Sequence, residues 1–334
     1  MNIFITGVAG FLGSHLAERC LGRNYKVSGC DTLVGGDLSN IEGLDINFTK
    51  TNCENLDEMT KVLKNVDVVC HAAAYAHEGL SSVSPKLISE NNLVGSTSVF
   101  TAAIRNKVKR IVYCSSMARY GKIELPYRED SVPVPVDPYG VTKLAAENIL
   151  KILSKTYNFE YNIAIPHNII GTKQKYDDSF RNVASIMINL ILQNRKPIIY
   201  GDGNQKRCFS DISDCLDCIE KLMFDKNIVS QTVNIGPDEE HITINDLYHK
   251  IANKLQFNQP AEYHEERPNE VHEAICSSDK ARKLLNYRTS KTLDQSLDEM
   301  INYIKKVGPK KFVYNYEIEI PSDIAPKTWT KKLF

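Results

Sequence analysis

The sequence predicts an α/β fold: a doubly wound parallel sheet joined to a smaller, less regular α/β C-terminal lobe. Short β-branched runs alternate with longer helical patterns over the first 170 residues, which is the signature of βαβ units. A glycine-rich turn follows the first of those runs and opens the first helical pattern. After Pro166 the regular alternation breaks.

The candidate strands are Asn2–Thr6, Lys26–Asp31, Val66–His71, Arg110–Ser115 and Tyr161–Pro166. Between them, Phe11–Leu21, Leu56–Leu63, Pro85–Ile104 and Tyr139–Tyr157 repeat apolar residues three and four apart and read as helices. The second half carries helical patterns at Val183–Gln193, Ile212–Phe224, Ile244–Lys254 and Leu293–Lys305. Phe209–Asp211 and Thr232–Ile235 are candidates to rejoin the main sheet. The expected division is therefore a nucleotide-binding domain over 1–166 plus about 208–236, and a second lobe from about 167–207 and 237–334. The tail Phe312–Phe334, with Pro321 and Pro326, is expected to run as an extended strap. No internal repeat or low-complexity tract is present.

Composition limits the partners. Forty-one Lys plus Arg balance forty-one Asp plus Glu over 334 residues, so no global field gathers nucleic acid or an anionic membrane. Any anion must be held locally. No run approaches eighteen apolar residues, and Met1–Gly7 lacks a basic segment and a small-residue cleavage site, so a cytoplasmic protein is expected. Nine cysteines, an odd number scattered through apolar runs, read as reduced core residues. Cys215 and Cys218 form a lone CxxC on an amphipathic pattern with no second ligand pair, so no metal site is expected.

Gly7, Gly10 and Gly13 lie in Thr6-Gly7-Val8-Ala9-Gly10-Phe11-Leu12-Gly13, between the first strand and the first helix. Glycines at this spacing permit a tight turn and let backbone approach a pyrophosphate, to which the helix N-terminus offers amide donors. Asp31 ends the second strand 18 residues beyond Gly13, where a carboxylate can accept both adenosine ribose hydroxyls. A carboxylate there repels a ribose 2′-phosphate, so NAD is expected rather than NADP.

Asp137-Pro138-Tyr139 reads as a helix start, which sets Tyr139 and Lys143 one turn apart on one face. A phenol is a poor base at neutral pH, but neighbouring positive charge favours its phenolate. The strand Arg110–Ser115 ends beside Ser116, whose hydroxyl would sit at the crevice where parallel sheets bind ligands.

Together with His71-Ala72-Ala73-Ala74, Asn91-Asn92-Leu93-Val94-Gly95-Ser96, the Ser-x-x-x-Tyr-Gly run from Ser116 and Tyr139-Gly140-Val141-Thr142-Lys143, these motifs make the chain resemble the extended short-chain dehydrogenase/reductases. The resemblance is to their NAD-dependent nucleotide-sugar epimerase and dehydratase group, as in UDP-glucose 4-epimerase-like enzymes, and covers nearly the whole chain. It implies a Rossmann sheet. It implies NAD held by Gly7, Gly10, Phe11, Leu12, Gly13, Asp31, Ala72 and Ala73. It also implies that Tyr139 is the catalytic acid or base, that Lys143 binds the nicotinamide ribose and lowers the tyrosine pKa, and that Ser116 assists at the same oxygen. Asn168, Arg207 and Arg267 match residues that bracket a substrate diphosphate, a task suited to guanidinium groups. A homodimer paired through the helices Pro85–Ile104 and Tyr139–Tyr157 is implied as well.

Dehydratases of this group carry an acidic residue or pair just after the serine-motif hydroxyl, because loss of water needs an extra acid and base. Met117 and Ala118 stand there in this chain, and neither moves a proton. A 3,5-epimerase of the GDP-mannose type would want a cysteine near Met117. The expected activity is therefore a 4-epimerase acting through a 4-keto sugar, with a C4 dehydrogenase or ketoreductase as the alternative and a non-catalytic NAD-binding scaffold behind both. His77, Glu124 and Glu129 are expected on the solvated surface. Asn52 and Ala76 depart from the family pattern near the cofactor. The insertion Gln174–Arg181 is expected to shape the nucleotide-base pocket, leaving UDP, GDP, CDP and dTDP open.

Overall fold

In the computed structural model, which describes every residue except Ser322, seven parallel strands form one sheet. Six are β1 (Asn2–Thr6), β2 (Lys26–Asp31), β3 (Ile46–Lys50), β4 (Val68–His71), β5 (Arg110–Cys114) and β6 (Glu160–Pro166). The seventh, Gln231–Ile235, pairs with β6 at one edge, giving the order Gln231–Ile235, β6, β5, β4, β1, β2, β3. The chain reaches the far edge at β3 and crosses back to lay β4 beside β1. The strand order reverses there, and Thr6, paired with both Cys30 and His71, marks the mouth of the resulting crevice.

Alternation along the strands divides the core between two faces. Ile3, Ile5, Cys70, Val112 and Cys114 pack with Leu16 and Cys20 of helix α1 (Phe11–Gly22) and with Leu216 and Ile219 of the helix Ile212–Phe224. Phe4, Val69, Ile111 and Tyr113 point the other way, onto Met59, Phe100 and Leu150. Cys215 and Cys218 belong to the first cluster, and all nine cysteines are buried and unpaired.

Three sequence expectations are corrected. β3 was not among the expected strands, because Ile-Asn-Phe-Thr-Lys is an edge strand, half-buried to exposed, with too little apolar character to signal itself. Phe209–Asp211 does not rejoin the main sheet: Ser210–Asp211 pairs with Ile169–Ile170 in a separate two-stranded sheet, and only the Thr232–Ile235 run joins the large one. The helix expected over Pro85–Ile104 is interrupted by a π turn at Glu90–Val94, between the α-helical segments Pro85–Ser89 and Gly95–Arg105. Such turns occur at functional sites, and this one serves the cleft described below.

The second lobe gathers a third core from Met187, Ile188, Leu247, Ile251, Leu297 and Met300. Its short strand Lys206–Arg207 lies between Ile242–Thr243 and Glu273–Ala274. The tail runs mostly without regular structure, ending in a helical turn at Lys327–Thr330, and is tied down along its length. Ile320 N donates to Val83 O at 2.9 Å, Ser84 Oγ donates to Glu317 O at 3.0 Å, and the Glu319 carboxylate accepts from the Lys86 and Leu87 amides at 2.9 Å each. Those last two bonds occupy orphan donors at the start of the Pro85–Ser89 segment. Tyr316 and Trp329 of the strap are themselves buried.

Candidate active site

One cleft at the C-terminal edge of the sheet brings together every residue expected at a site: Gly7, Gly10, Phe11, Leu12, Gly13, Asp31, Ala72, Ala73, Ser116, Tyr139, Lys143, Asn168, Arg207 and Arg267. At the end of the cleft formed by the glycine turn, Gly7 takes φ +70°, which only glycine adopts freely, and its amide donates to Cys30 O at 2.7 Å. A Cβ on Gly13 would stand 2.1 Å from Gly7 O, so the helix seats on the turn too closely for any side chain. Helix α1 begins at Gly10 with no side-chain cap, which leaves the first-turn amides of Phe11 and Leu12 facing the cleft for an anion. Asp31 is buried at the end of β2, its carboxylate accepting from Leu33 N at 2.8 Å and Ala9 N at 3.2 Å. Burial raises its pKa above the ordinary value, and these amide bonds counter that.

A hydrogen-bonded chain holds the crevice open between β1 and β4. Thr6 Oγ1 accepts from Ala72 N and Ala73 N, each at 3.0 Å, so its own proton goes to His71 Nδ1 at 2.8 Å. His71 Nε2 then donates to Ser96 Oγ at 2.9 Å, and Ser96 donates to Asn92 O. Burial lowers the His71 imidazole to about 3, which keeps it neutral and this pattern in place. Asn92 also uses its side chain to accept from Tyr75 N at 2.8 Å and donate to Tyr75 O at 3.1 Å. The π turn thus aims Asn92 at the loop after β4. The sequence displays these residues as motifs, but the partnership itself appears only in the fold.

Ser116, Tyr139 and Lys143, the residues expected to do chemistry, meet beside the end of β5. Asp137 caps the helix Pro138–Tyr157 by accepting from Gly140 N at 2.8 Å. A Cβ on Gly140 would meet Ala118 O at 2.3 Å, so the helix start presses against the serine loop. This places Tyr139 and Ser116 in the same part of the cleft, where the Ser116 Oγ accepts from Ala118 N at 3.2 Å. Burial raises the Tyr139 pKa, the nearby Ser116 hydroxyl pulls it down, and Glu78 and Asp137 push it up. Lys143, buried one turn on, donates to Cys114 O at 2.9 Å, and its Nζ stands 5.8 Å from the Tyr139 ring centroid. Burial lowers its ammonium to about 8.

At the opposite end, Arg207 Nη2 and Arg267 Nη2 converge on the two oxygens of Glu270 at 2.8 and 2.7 Å, and Arg267 lies over the Tyr200 ring. Asn168 Nδ2 donates to Cys208 O at 3.0 Å. Glu270 was not singled out from the sequence, although it stands three residues after Arg267. Glu78 was missed altogether, and it lines the cleft with its side chain exposed.

Other expectations change. His77 is not on the surface: it is buried against Phe180 and Tyr316, its Nε2 3.9 Å from Asp178, and burial lowers it to about 4. Glu129 accepts from Asn234 N at 2.9 Å, and neither it nor Glu124 lines the cleft. Lys173, just before the insertion, and Arg181 within it reach helix α1 and Gly35 on the glycine-turn side. Lys173 bonds Glu18 at 2.8 Å, and Arg181 presses so closely on Gly35 that a Cβ there would stand 2.3 Å from its Nη2.

A family model described as the NAD dependent epimerase/dehydratase family matches residues 3–236. A putative UDP-glucose 4-epimerase of Methanocaldococcus jannaschii is 31% identical over 306 residues, covering 91% of this chain and 98% of the relative. Among solved structures, a UDP-glucose 4-epimerase from Thermotoga maritima, crystallised with UDP-glucose, superposes with a TM-score of 0.87 at 25% identity, covering 92% of this chain and 99% of its own. A UDP-glucuronic acid 4-epimerase from Bacillus cereus, in complex with UDP-glucuronic acid and NAD, gives 0.85 at 28% identity, covering 92% and 100%.

Proposed function

Because the chain belongs to the NAD-dependent epimerase/dehydratase family, we propose that it is a nucleotide-sugar 4-epimerase that inverts C4 through a transient 4-keto sugar. The observation that carries this reading is the meeting of Ser116, Tyr139 and Lys143 at one edge of the cleft, with Met117 and Ala118 next to Ser116. Inversion at C4 needs one group to take and return a single proton. Loss of water needs a further acid and base, which Met117 and Ala118 do not supply.

The cleft fits NAD: an uncapped helix N-terminus faces it, the glycine turn has no room for side chains, and Asp31 stands at the end of β2. Phe11 and Leu12 amides would hold the pyrophosphate, Asp31 the adenosine ribose, Lys143 the nicotinamide ribose, and Ala72 and Ala73 would line the site. Bound NAD supplies the acceptor and donor of the C4 hydride. Tyr139 takes the C4 hydroxyl proton and returns it to the new hydroxyl, while Ser116 donates to the same oxygen and steadies it. Asn168, Arg207 and Arg267 hold the diphosphate, so that the sugar swings about a fixed end. The relatives named above as UDP-sugar 4-epimerases support a uridine nucleotide.

The test is to incubate the purified protein with UDP-, GDP-, CDP- and dTDP-sugars, following C4 inversion by NMR and NADH by absorbance. Inversion without net NADH is expected. Net NADH would make the chain a C4 dehydrogenase, and a 6-deoxy-4-keto product would overturn the reading.

The same reading includes a homodimer. The helical segments around Glu90–Arg105 and Pro138–Tyr157 leave Val94, Val141 and Ile152 between 48% and 64% exposed, an apolar face that a second copy would cover. Light scattering at micromolar concentration should report twice the chain mass; the mass of one chain would refute the pairing.

Among the described residues, no helix is long and apolar enough to cross a membrane.

A further inference from the structure

Neither the glycine turn (7–13) nor the loop after β2 (32–45) contains a lysine or arginine, and Asp31 between them adds a carboxylate. A dinucleotide pyrophosphate seated at this end of the cleft meets the amides at the start of α1, which carry partial charge alone. Any full counter-charge must therefore come from another part of the fold. Two nearby lysines are engaged elsewhere: Lys173 bonds Glu18 at 2.8 Å and Asn40 O at 3.0 Å, and Lys175 stands 3.2 Å from Asp177.

Arg181 reaches this end from the Gln174–Arg181 insertion. Its Nη2 fills the space that a side chain on Gly35 would take, and both residues line the cleft. The loop it meets packs on both parts of the cofactor end: a Cβ on Gly36 would stand 2.7 Å from the Asp31 carboxylate, and Asp37 N donates to Ala9 O of the glycine turn at 3.0 Å. The guanidinium is aimed from behind. Its Nε donates to Asp178 Oδ2 at 3.4 Å, while the other oxygen of the buried Asp178 accepts from Phe180 N at 2.9 Å. Phe180 in turn packs 4.9 Å from Trp329 and 5.8 Å from Tyr316 between ring centroids, which seats the backbone before Arg181 against the strap. Neither Nη1 nor Nη2 hydrogen-bonds a described residue, so the outer edge of the fork is left for a ligand.

We propose that Arg181 is a cofactor-binding residue, supplying the counter-charge for the NAD pyrophosphate together with the amides at the start of α1. A guanidinium suits this task because it offers paired donors to phosphate oxygens, and Gly35 and Gly36 put no side chain in its way. The insertion expected to shape the nucleotide-base pocket thus serves the cofactor through this residue. The inference builds on NAD as the cofactor and holds whichever sugar is epimerised.

The test measures the affinity of the full chain, freed of bound nucleotide, for NAD and for UDP by titration calorimetry. Arg181→Met, which keeps much of the apolar stem, should weaken NAD roughly ten- to hundredfold and leave UDP within about twofold, because Arg207 and Arg267 stand at the opposite end of the cleft. Gly35→Ala puts a methyl where Nη2 now lies and should weaken NAD in the same direction by turning the guanidinium aside. It carries the test if Arg181→Met does not fold. A change in NAD affinity under about twofold, or an equal loss for NAD and UDP, would overturn the role, the second because it would make Arg181 a residue of the fold rather than of the cofactor site. Failure of the wild type to bind NAD at all would instead remove the NAD site itself, and this proposal with it.

Discussion

Tyr139→Phe is expected to lower kcat by roughly 10²–10⁴-fold, the span associated with loss of a positioned acid or base, while the fold and NAD binding persist. The change removes one oxygen from a ring that is 5% exposed and packed between the serine loop and Lys143, so the cavity left is small. What it removes is the phenol oxygen that lies with Ser116 and Lys143 in the cleft. The pH profile of the wild type should carry a companion signature. Burial holds the Lys143 ammonium near pH 8 in the free chain, below the ordinary lysine value, so the charged form is present below that pH and lost above it. kcat/KM should therefore fall as pH rises through about 8. Full activity in Tyr139→Phe, measured by NMR of the C4 epimers, would sink the assignment of the base. A profile flat to pH 10 would show that the lysine charge is not needed.

Glu147→Ala is expected to cost roughly 3–5 kcal/mol of folding stability, enough to threaten the fold, because it leaves a buried guanidinium without its counter-charge. Glu147 lies two turns beyond Tyr139 on the same helix face and is fully buried. Its carboxylate pairs with Arg119 Nε at 2.9 Å, accepts from Ser115 Oγ, and stands 3.7 Å from Lys151 Nζ. Arg119 is 4% exposed and stacks over the Tyr120 ring, so it has no route to water once Glu147 is gone. Ser115 and Arg119 flank the loop that carries Ser116, so the loss should reach the site as well. Urea unfolding checks the magnitude, with Glu147→Gln expected to cost less because it keeps an acceptor for Ser115. A change under about 0.5 kcal/mol in Glu147→Ala would refute the argument.

Much of the cofactor side was legible in the sequence because its requirements are local. The Gly7–Gly13 spacing follows from a turn and helix start that leave no room for side chains, and Tyr139 and Lys143 share a face because a helical turn repeats every four residues or so. The Asp137-Pro138 start announced the helix that carries them. Less legible were features whose reason lies across the fold. β3 is an edge strand that exists by pairing with β2, and Ser210–Asp211 pairs with Ile169–Ile170 instead of the main sheet. His77 reads as a loop residue but is buried, because the strap brings Tyr316 over it from more than two hundred positions away.

The sequence by itself determined the parallel sheet, the glycine turn after β1 and the shared helix face of Tyr139 and Lys143, since each follows from backbone geometry within one element and its flanking turn. The tertiary structure alone decided the character of the opposite end of the cleft. Glu270 there gathers Arg207 and Arg267, while the exposed Glu78 carboxylate has no such partner among the described residues and its neighbour Gly79 meets Trp329 from the far end of the chain. Whether a carboxylate is neutralised or left open depends on which distant side chains reach it, and that is a property of packing between elements that no local pattern encodes.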